Sequence, residues 1–489
     1  MLSDRLAAML RRDSPVALSA QLAEELRRLI AGAVLRPGDA LPATRTLAAD
    51  LGLGRNTVIE AYDRLTAEGY LEARRGAGSF VSAAPPAYEM QADATRLVAE
   101  EATTPLGLSR RATAILAEPA IDLGRAFSLC TPDLTLLRLD VWQRLLAQAW
   151  REARLPDTGY AEPGGHPELR RAIADHVRLT RLVRCTPEQV IVVNGAQQGL
   201  DLCARFLADA GERVWVENPG YPGARRAFAA AGLDMVAMPV DGEGLAPPEA
   251  AWHEPPRLVY VTPSHQFPIG VEMSVARRQG LLERAARHGC WVIEDDYDGE
   301  FRLAGAPVPS LQGMDSADRV VYVGTFSKVL FPALRLGYVV VPPSLAEGFA
   351  LAAARLQLEG RQATQAALAR FITEGHFAAH IRRMRQAYAG RREILAEAWR
   401  RELGDSTPLV GTETGMHVSV ALSPAVEAAV VAQANPQGIV VQALSHFGVA
   451  PLAHHGLALG YGGAHDQAAR DQGARLARLV AEELGRQAP

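Results

Sequence analysis

The sequence predicts an N-terminal winged helix-turn-helix followed by a larger α/β domain, whose mostly parallel, seven-stranded sheet carries helices on both faces. Three observations lead there. Residues 14–82 show short amphipathic helical stripes joined by glycine turns, then two brief strand-like runs. Residues 83–118 lose periodicity and begin Ala-Ala-Pro-Pro, as a long linker does. From residue 119 to 489, seven runs rich in β-branched residues alternate with helical patterns, as strands covered on both sides do.

Composition narrows the setting. The 489 residues, 48% hydrophobic and 22% charged, suit an ordinary globular chain of several domains. A net charge of −4 means that any nucleic-acid contact needs a local basic surface. The cysteines Cys130, Cys185, Cys203 and Cys290 are scattered without metal spacing and read as buried thiols of a reducing compartment. The opening MLSDRLAAMLRRD is too charged for a secretory leader, and no run of 18 apolar residues occurs, so a cytoplasmic protein without a membrane partner is expected. Of 51 Lys and Arg, the one lysine is Lys328. Arginine can replace lysine on a surface but not where a neutral amine must attack a carbonyl. Lys328 is thereby a candidate nucleophile.

The elements of residues 14–82 follow in order. SAQLAEELRRLIAG carries Leu22, Leu26, Leu29 and Ile30 on one face and stops at Gly32. TRTLAADLG forms a second helix, Gly52 and Gly54 the turn, and RNTVIEAYDRLTAEGY a third. Two helices so joined match a helix-turn-helix, whose second helix enters the major groove. Arg55, Asn56 and Thr57 open that helix, where side chains face base edges; Arg45 is a phosphate candidate. YLEARR and SFVS make the wing, with Arg74 and Arg75 at its glycine-rich tip facing phosphate. Taken singly, each arginine reads equally as a solvated surface charge. With 11 Arg against 10 Asp and Glu in residues 1–82, binding must depend on placement and on dimerisation. The ordered run LRPGDALPATRTLAADLGLGRNTV…AYDRLTAEGYLEARRGAGSFV resembles the winged-helix domain of the GntR family, which implies double-stranded promoter DNA as a partner. An amphipathic piece near residues 108–117 reads as partly helical within the linker.

The strands of the larger region are VIVVN, RVWVE, MVAMPV, LVYVTP, WVIEDD, VVYVGTF and LGYVVVP, and polar clusters sit at their ends, where such sheets gather ligands. Gly195-Ala196-Gln197 fits a phosphate cradle at a helix start, although a plain tight turn fits as well. Tyr221 follows the next strand and suits stacking on a planar ring or packing in the core. Asp295 could hold a pyridine nitrogen protonated, and Tyr297 could bond a ring phenolate. Ser327 and Lys328 end a further strand, with Arg335 seven residues on; a serine and an arginine there could bind phosphate, the arginine as a bidentate fork.

That order of residues is similar to the aminotransferases of fold type I. The wording ENPGY, TPSHQFPIG, EDDYDGEF and TFSKVLFPALRLGY is closer still to the MocR/GabR subfamily, in which a GntR winged helix is fused to an aminotransferase-like domain. The resemblance implies a fold-type I sheet with a smaller α+β domain, pyridoxal 5'-phosphate on Lys328 as a Schiff base, and a head-to-tail homodimer. Tyr160, in GYAEPGG, resembles the tyrosine that reaches the phosphate of the neighbouring subunit's cofactor.

Two departures temper what the domain does. Phe267 stands where aminotransferases have an asparagine on the cofactor's ring oxygen, so that contact moves to His265 or Gln266, or is absent. In GLALGYGG, Ala458 replaces the arginine that holds a substrate carboxylate, a loss of roughly 2–5 kcal/mol; His446, His454 and His455 are the basic candidates in that stretch, although loop histidines more often read as solvated surface residues. The expected function is a transcription regulator that senses pyridoxal phosphate itself, and so controls its synthesis, or senses a small amine or amino acid. An active aminotransferase with a fused DNA-binding domain is the alternative, and a half-transamination stays open under both.

Overall fold

The computed structural model describes residues 2–74, 78–83, 85, 107, 109–117, 127–155, 159, 162–305, 308–357 and 361–487. The chain divides into two compact units, Met1–Gly107 and Leu108–Pro489.

In the first unit, α1 (Leu2–Met9), α2 (Leu18–Ala31), α3 (Thr44–Leu51) and α4 (Arg55–Ala67) precede a hairpin of β1 (Leu71–Arg74) and β2 (Gly78–Val81). The expected stripe on α2 is buried as Leu22, Leu26 and Ile30, against Leu47 and Leu51 of α3 and Val58 and Leu65 of α4. Leu71 and Val81 face each other across the hairpin and close this core from below. The helix α1 lies ahead of the elements expected from the sequence; its Leu6 packs into the same core. Gly52 ends α3 at φ 59° and ψ 38°, a left-handed conformation that turns the chain sharply into α4.

The second unit is built on a sheet ordered β3-β10-β9-β8-β7-β4-β5-β6. Its strands are β3 (Val190–Val193), β4 (Arg213–Asn218), β5 (Asp234–Asp241), β6 (Gly244–Leu245), β7 (Leu258–Val261), β8 (Trp291–Asp296), β9 (Val320–Thr325) and β10 (Gly337–Val340). All seven anticipated runs are present, and β6 adds an eighth strand as a short hairpin on β5. Strands β9, β8, β7, β4 and β5 run parallel, whereas β10 is antiparallel to both β9 and β3. The cause is the connection. Only residues 326–336 join β9 to β10, too few for the crossover that parallel neighbours require.

Alternation along these strands feeds two cores. Val190, Val192, Tyr322, Tyr338 and Val340 point to one face, and Ile191, Val193, Val321, Val323 and Val339 to the other. Burial on both sides explains why the strands read as continuous apolar runs rather than alternating ones. A smaller antiparallel sheet, ordered β11-β12-β14-β13, is formed by β11 (Leu409–Val410), β12 (His417–Ala421), β13 (Gln442–Ala443) and β14 (Gly456–Gly460). Helices His376–Leu403, Pro424–Ala434 and Asp466–Gln487 accompany it, giving the expected α+β portion. The amphipathic piece of the linker is the helix Arg110–Ala117, which falls in the second unit; the Arg111 guanidinium donates to the Ala230 carbonyl at 3.5 Å. Among the described residues, no helix is long and apolar enough to cross a membrane.

Candidate functional site

The antiparallel detour through β10 brings the carboxyl ends of β3, β9, β8 and β4 to one edge of the sheet. A cavity of about 160 Å³ opens there. Gly195, Ala196 and Gln197 line it from the β3 end, and Tyr221 from the β4 end. Asp295 and Tyr297 enter from β8, two residues apart and therefore on the same side of the strand line. Ser327, Lys328 and Arg335 come from the β9–β10 loop. Nine sequence-predicted residues thus share one cavity. Tyr160 lies outside the described residues.

Local structure explains each position. Gly195 has φ 86° and turns β3 into the helix Ala196–Leu207, whose start has no side-chain cap. Its first amides are therefore open to an acceptor. The Gln197 amide donates to the Gly223 carbonyl at 2.8 Å, tying this helix to the next, Pro222–Ala231. Arg335 adopts φ 49° and ψ 43° between the buried residues Leu334 and Leu336, so a strained backbone presents an exposed guanidinium at the cavity mouth.

Asp295 is the most constrained group. It is 3% exposed, and its Oδ2 accepts the Tyr260 hydroxyl at 2.8 Å. Its Oδ1 is buried without a hydrogen-bond partner. Burial pushes its carboxyl up to about 7, against the pull of the Tyr260 hydrogen bond. An oxygen so placed lacks a donor, and an N–H entering the cavity would supply one. Tyr297 donates to the His265 carbonyl at 2.9 Å, while Tyr221 meets Phe267 edge-on at 5.5 Å between ring centres.

Several contributors escape a reading of the sequence. Cys130, Thr325 and Pro332 line the cavity beside Phe267, which the sequence had placed there, and Tyr260 holds Asp295 from the neighbouring strand. Tyr260 can be found only with the β7–β8 register, which pairs it with Ile293. His265 and Gln266 do not take over the contact left by Phe267. The His265 ring turns away to Asp298 at 2.9 Å, and the Gln266 amide donates to the Pro219 carbonyl at 2.9 Å. None of His446, His454 and His455 lines the cavity. His446 is exposed, His454 bonds the Val240 carbonyl at 2.7 Å, and His455 stands 3.7 Å from Glu427. Ala458 is fully buried on β14 within an apolar cluster with Leu129, Cys130, Leu444 and Phe447. His417, which no motif singles out, is buried against the His265 ring, 4.3 Å between centres.

In the first unit, Arg45, Arg55 and Asn56 are exposed and Thr57 is half-buried. The start of α4 carries no side-chain cap, and the Thr57 amide donates to the Gly54 carbonyl at 3.1 Å. Arg27 and Arg64 converge on Glu68 at 2.5 and 2.9 Å and are compensated there. Arg74 pairs with Glu72 at 2.5 Å and lies over the Phe80 ring at 4.5 Å. Arg75 falls outside the described residues.

Residues 18–81 match the model of bacterial regulatory proteins of the gntR family, and residues 127–458 that of class I and II aminotransferases. The probable rhizopine catabolism regulatory protein MocR of Rhizobium meliloti is 41% identical over 483 residues, 98% of this chain and 97% of that one. The pyridoxine biosynthesis transcriptional regulator PdxR of Corynebacterium glutamicum is 34% identical over 469 residues, 96% of each. Among solved structures, the α-aminoadipate aminotransferase LysN of Thermus thermophilus matches with a TM-score of 0.66 at 25% identity, over 77% of this chain and 96% of that one.

Proposed function

The chain belongs to the MocR-type GntR regulators, a winged-helix DNA-binding domain fused to an aminotransferase-like domain of fold type I, and from that premise we propose that it controls transcription through pyridoxal 5'-phosphate held in its second unit. The observation that carries the proposal is the Oδ1 of Asp295, a buried acceptor without a donor at the floor of the cavity that Lys328 enters. A protonated pyridine nitrogen satisfies it. Lys328 holds the cofactor covalently, and Tyr221 stacks on its ring. Ser327, Arg335 and the open amide of Ala196 take the phosphate, with Gly195, whose own amide donates to the Val193 carbonyl, and Gln197 shaping that turn. The Tyr297 hydroxyl, which donates to the His265 carbonyl at 2.9 Å, would hold the ring oxygen of the cofactor. When bound, pyridoxal phosphate supplies an electrophilic carbon that condenses with primary amines.

The signal is the cofactor or an amine joined to it, and occupancy of the cavity shifts the affinity of the first unit for promoter DNA. Arg55, Asn56 and Thr57 read the major groove, while Arg45 and the wing arginines Arg74 and Arg75 meet phosphates. Where the cofactor itself is the signal, its synthesis is the process controlled; the Corynebacterium relative is named as a pyridoxine biosynthesis regulator. The protein works in the cytoplasm as a head-to-tail homodimer, with Tyr160 reaching the partner's cofactor.

A sustained aminotransferase cycle is the second reading, favoured by the likeness to LysN. The apolar packing around Ala458 counts against it, because the described residues of that cluster offer no cation to a substrate carboxylate. Two measurements test the proposal. The purified chain should show the absorbance band of a lysine-bound cofactor, absent from Lys328→Ala, and its affinity for its own promoter should change when the cofactor is removed. No band in the wild type sinks the reading, and steady turnover of an amino donor with a 2-oxo acid favours the second.

A further inference from the structure

Beside Tyr297, and outside the lining of the cofactor cavity, three metal-ligating side chains converge from separate segments. His265 comes from the loop after β7, Asp298 from the turn after β8 and His417 from the start of β12. Each is at most 1% exposed. One nitrogen of each histidine and one oxygen of the carboxylate all lie within 4.8 Å of one another.

Hydrogen bonding accounts for only one nitrogen of each ring. The His417 Nε2 stands 3.1 Å from the Pro268 carbonyl, which can only accept, so the ring hydrogen sits there and Nδ1 keeps its lone pair. That Nδ1 is buried without a hydrogen-bond partner. His265 meets Asp298 Oδ2 through its Nδ1 at 2.9 Å, and its Nε2 is likewise buried and bare. The Met416 amide also acts on the Asp298 carboxylate. The two imidazoles lie 4.3 Å apart between ring centres. Unused lone pairs are costly in a dry interior, and a cation between the rings would satisfy them.

The backbone is shaped to admit this cluster. Gly270, Gly411 and Gly415 surround the His265 ring, with φ of 87°, 82° and 80°. A Cβ at Gly415 would stand 2.1 Å from His265 Nδ1 and 2.7 Å from Asp298 Oδ2. A Cβ at Gly270 or Gly411 would come within 3.0 Å of His265 Nε2.

We propose that His265, Asp298 and His417 bind a zinc ion, through two neutral imidazoles and one carboxylate, with a fourth position left to water. Zinc takes nitrogen and oxygen ligands of these kinds in tetrahedral array. Ligand atoms about 2.0–2.1 Å from the ion stand about 3.3 Å apart, so the three side chains draw in by at most about 1.5 Å from their 4.8 Å limit. The ion fastens β12 of the smaller sheet to the loops that follow β7 and β8 of the larger one. It also steadies a residue of the cavity, because the Tyr297 hydroxyl donates to the His265 carbonyl and lies 3.3 Å from the His265 Nδ1.

The test measures zinc by elemental mass spectrometry in the full-length chain, purified without a metal-affinity tag. The wild type should carry about one zinc per chain. His417→Gln should lose it, and His446→Gln, which changes an exposed histidine outside the cluster, should keep it. Lys328→Ala freed of pyridoxal phosphate should keep it too, which excludes the cofactor, itself a chelator, as the ligand. A wild type without zinc, even after incubation with excess zinc chloride, overturns the proposal. So does an undiminished zinc content in His417→Gln, or loss of the metal with the cofactor. If His417→Gln does not fold, wild type produced with cobalt in place of zinc decides. The visible bands of a tetrahedral nitrogen-and-oxygen site uphold the proposal, and the charge-transfer band of a cysteine thiolate overturns it.

Discussion

At Asp295 the chain buries a carboxyl with one oxygen bonded to Tyr260 and the other bare, and this has a consequence for stability. Its folded pKa of about 7 lies above the ordinary 3.8, so the folded cofactor-free chain holds a proton that the unfolded chain has released. Stability therefore falls as pH rises between those two values, by at most roughly 4 kcal/mol for this group. Glu217 and Glu294, also buried and pushed up to about 7, titrate in the same window, so a variant is needed to isolate it. Asp295→Asn should be more stable relative to wild type at pH 8 than at pH 5 in thermal melts without cofactor. An unchanged difference would mean that Asp295 is ionised at both values. The same variant should weaken retention of pyridoxal phosphate, measured by absorbance after dialysis. At this scale Lys328 is legible because composition isolates it, and Asp295 because it ends an apolar strand before a polar cluster. Cys130 and Tyr260 are not. Their roles depend on neighbours far away in the chain.

Among the elements, the β9–β10 loop does most to assemble the cavity. Its few residues force β10 to run back, which sets Ser327, Lys328 and Arg335 beside the ends of β3 and β8. In the first unit, the turn between α3 and α4 orients the recognition helix. Gly52 sits at φ 59°, and a Cβ there would lie 3.2 Å from the Arg12 guanidinium. Gly52→Ala should cost about 1 kcal/mol of that unit's stability by chemical denaturation. Promoter binding separates the arginines of this unit. Arg55→Ala should cost about 1–3 kcal/mol and relax sequence preference, as loss of a base contact does. Arg74→Ala should cost less and leave preference unchanged, because Glu72 and Phe80 already engage its guanidinium. Equal losses from both, measured on matched and mismatched promoter fragments, would remove Arg55 from the readout. The helices are legible from their stripes and glycine stops. The strand β6, two residues long, carries too little pattern to be found.

For the molecule as a whole, a ligand that binds only the folded state raises its stability by mass action, about 2.7 kcal/mol at a hundredfold excess over Kd. Calorimetry with and without pyridoxal phosphate should show an upward shift that Lys328→Ala largely loses. An equal shift in that variant would mean that the lysine contributes little to holding the cofactor. Two domain types in series, the seven main strands and the order of the polar clusters were all determined by the sequence. Periodicity, glycine stops and strand-end chemistry are local properties that a linear reading can follow. Strand order, the reversed direction of β10 and the donor-free oxygen of Asp295 were decided only by tertiary structure. So was the apolar packing around Ala458: none of the three histidines named from the sequence lines the cavity, His446 being exposed, His454 bonded to the Val240 carbonyl and His455 beside Glu427. Sheet register and side-chain direction depend on which distant segments pack together, and a hydrophobic pattern alone does not specify that partner.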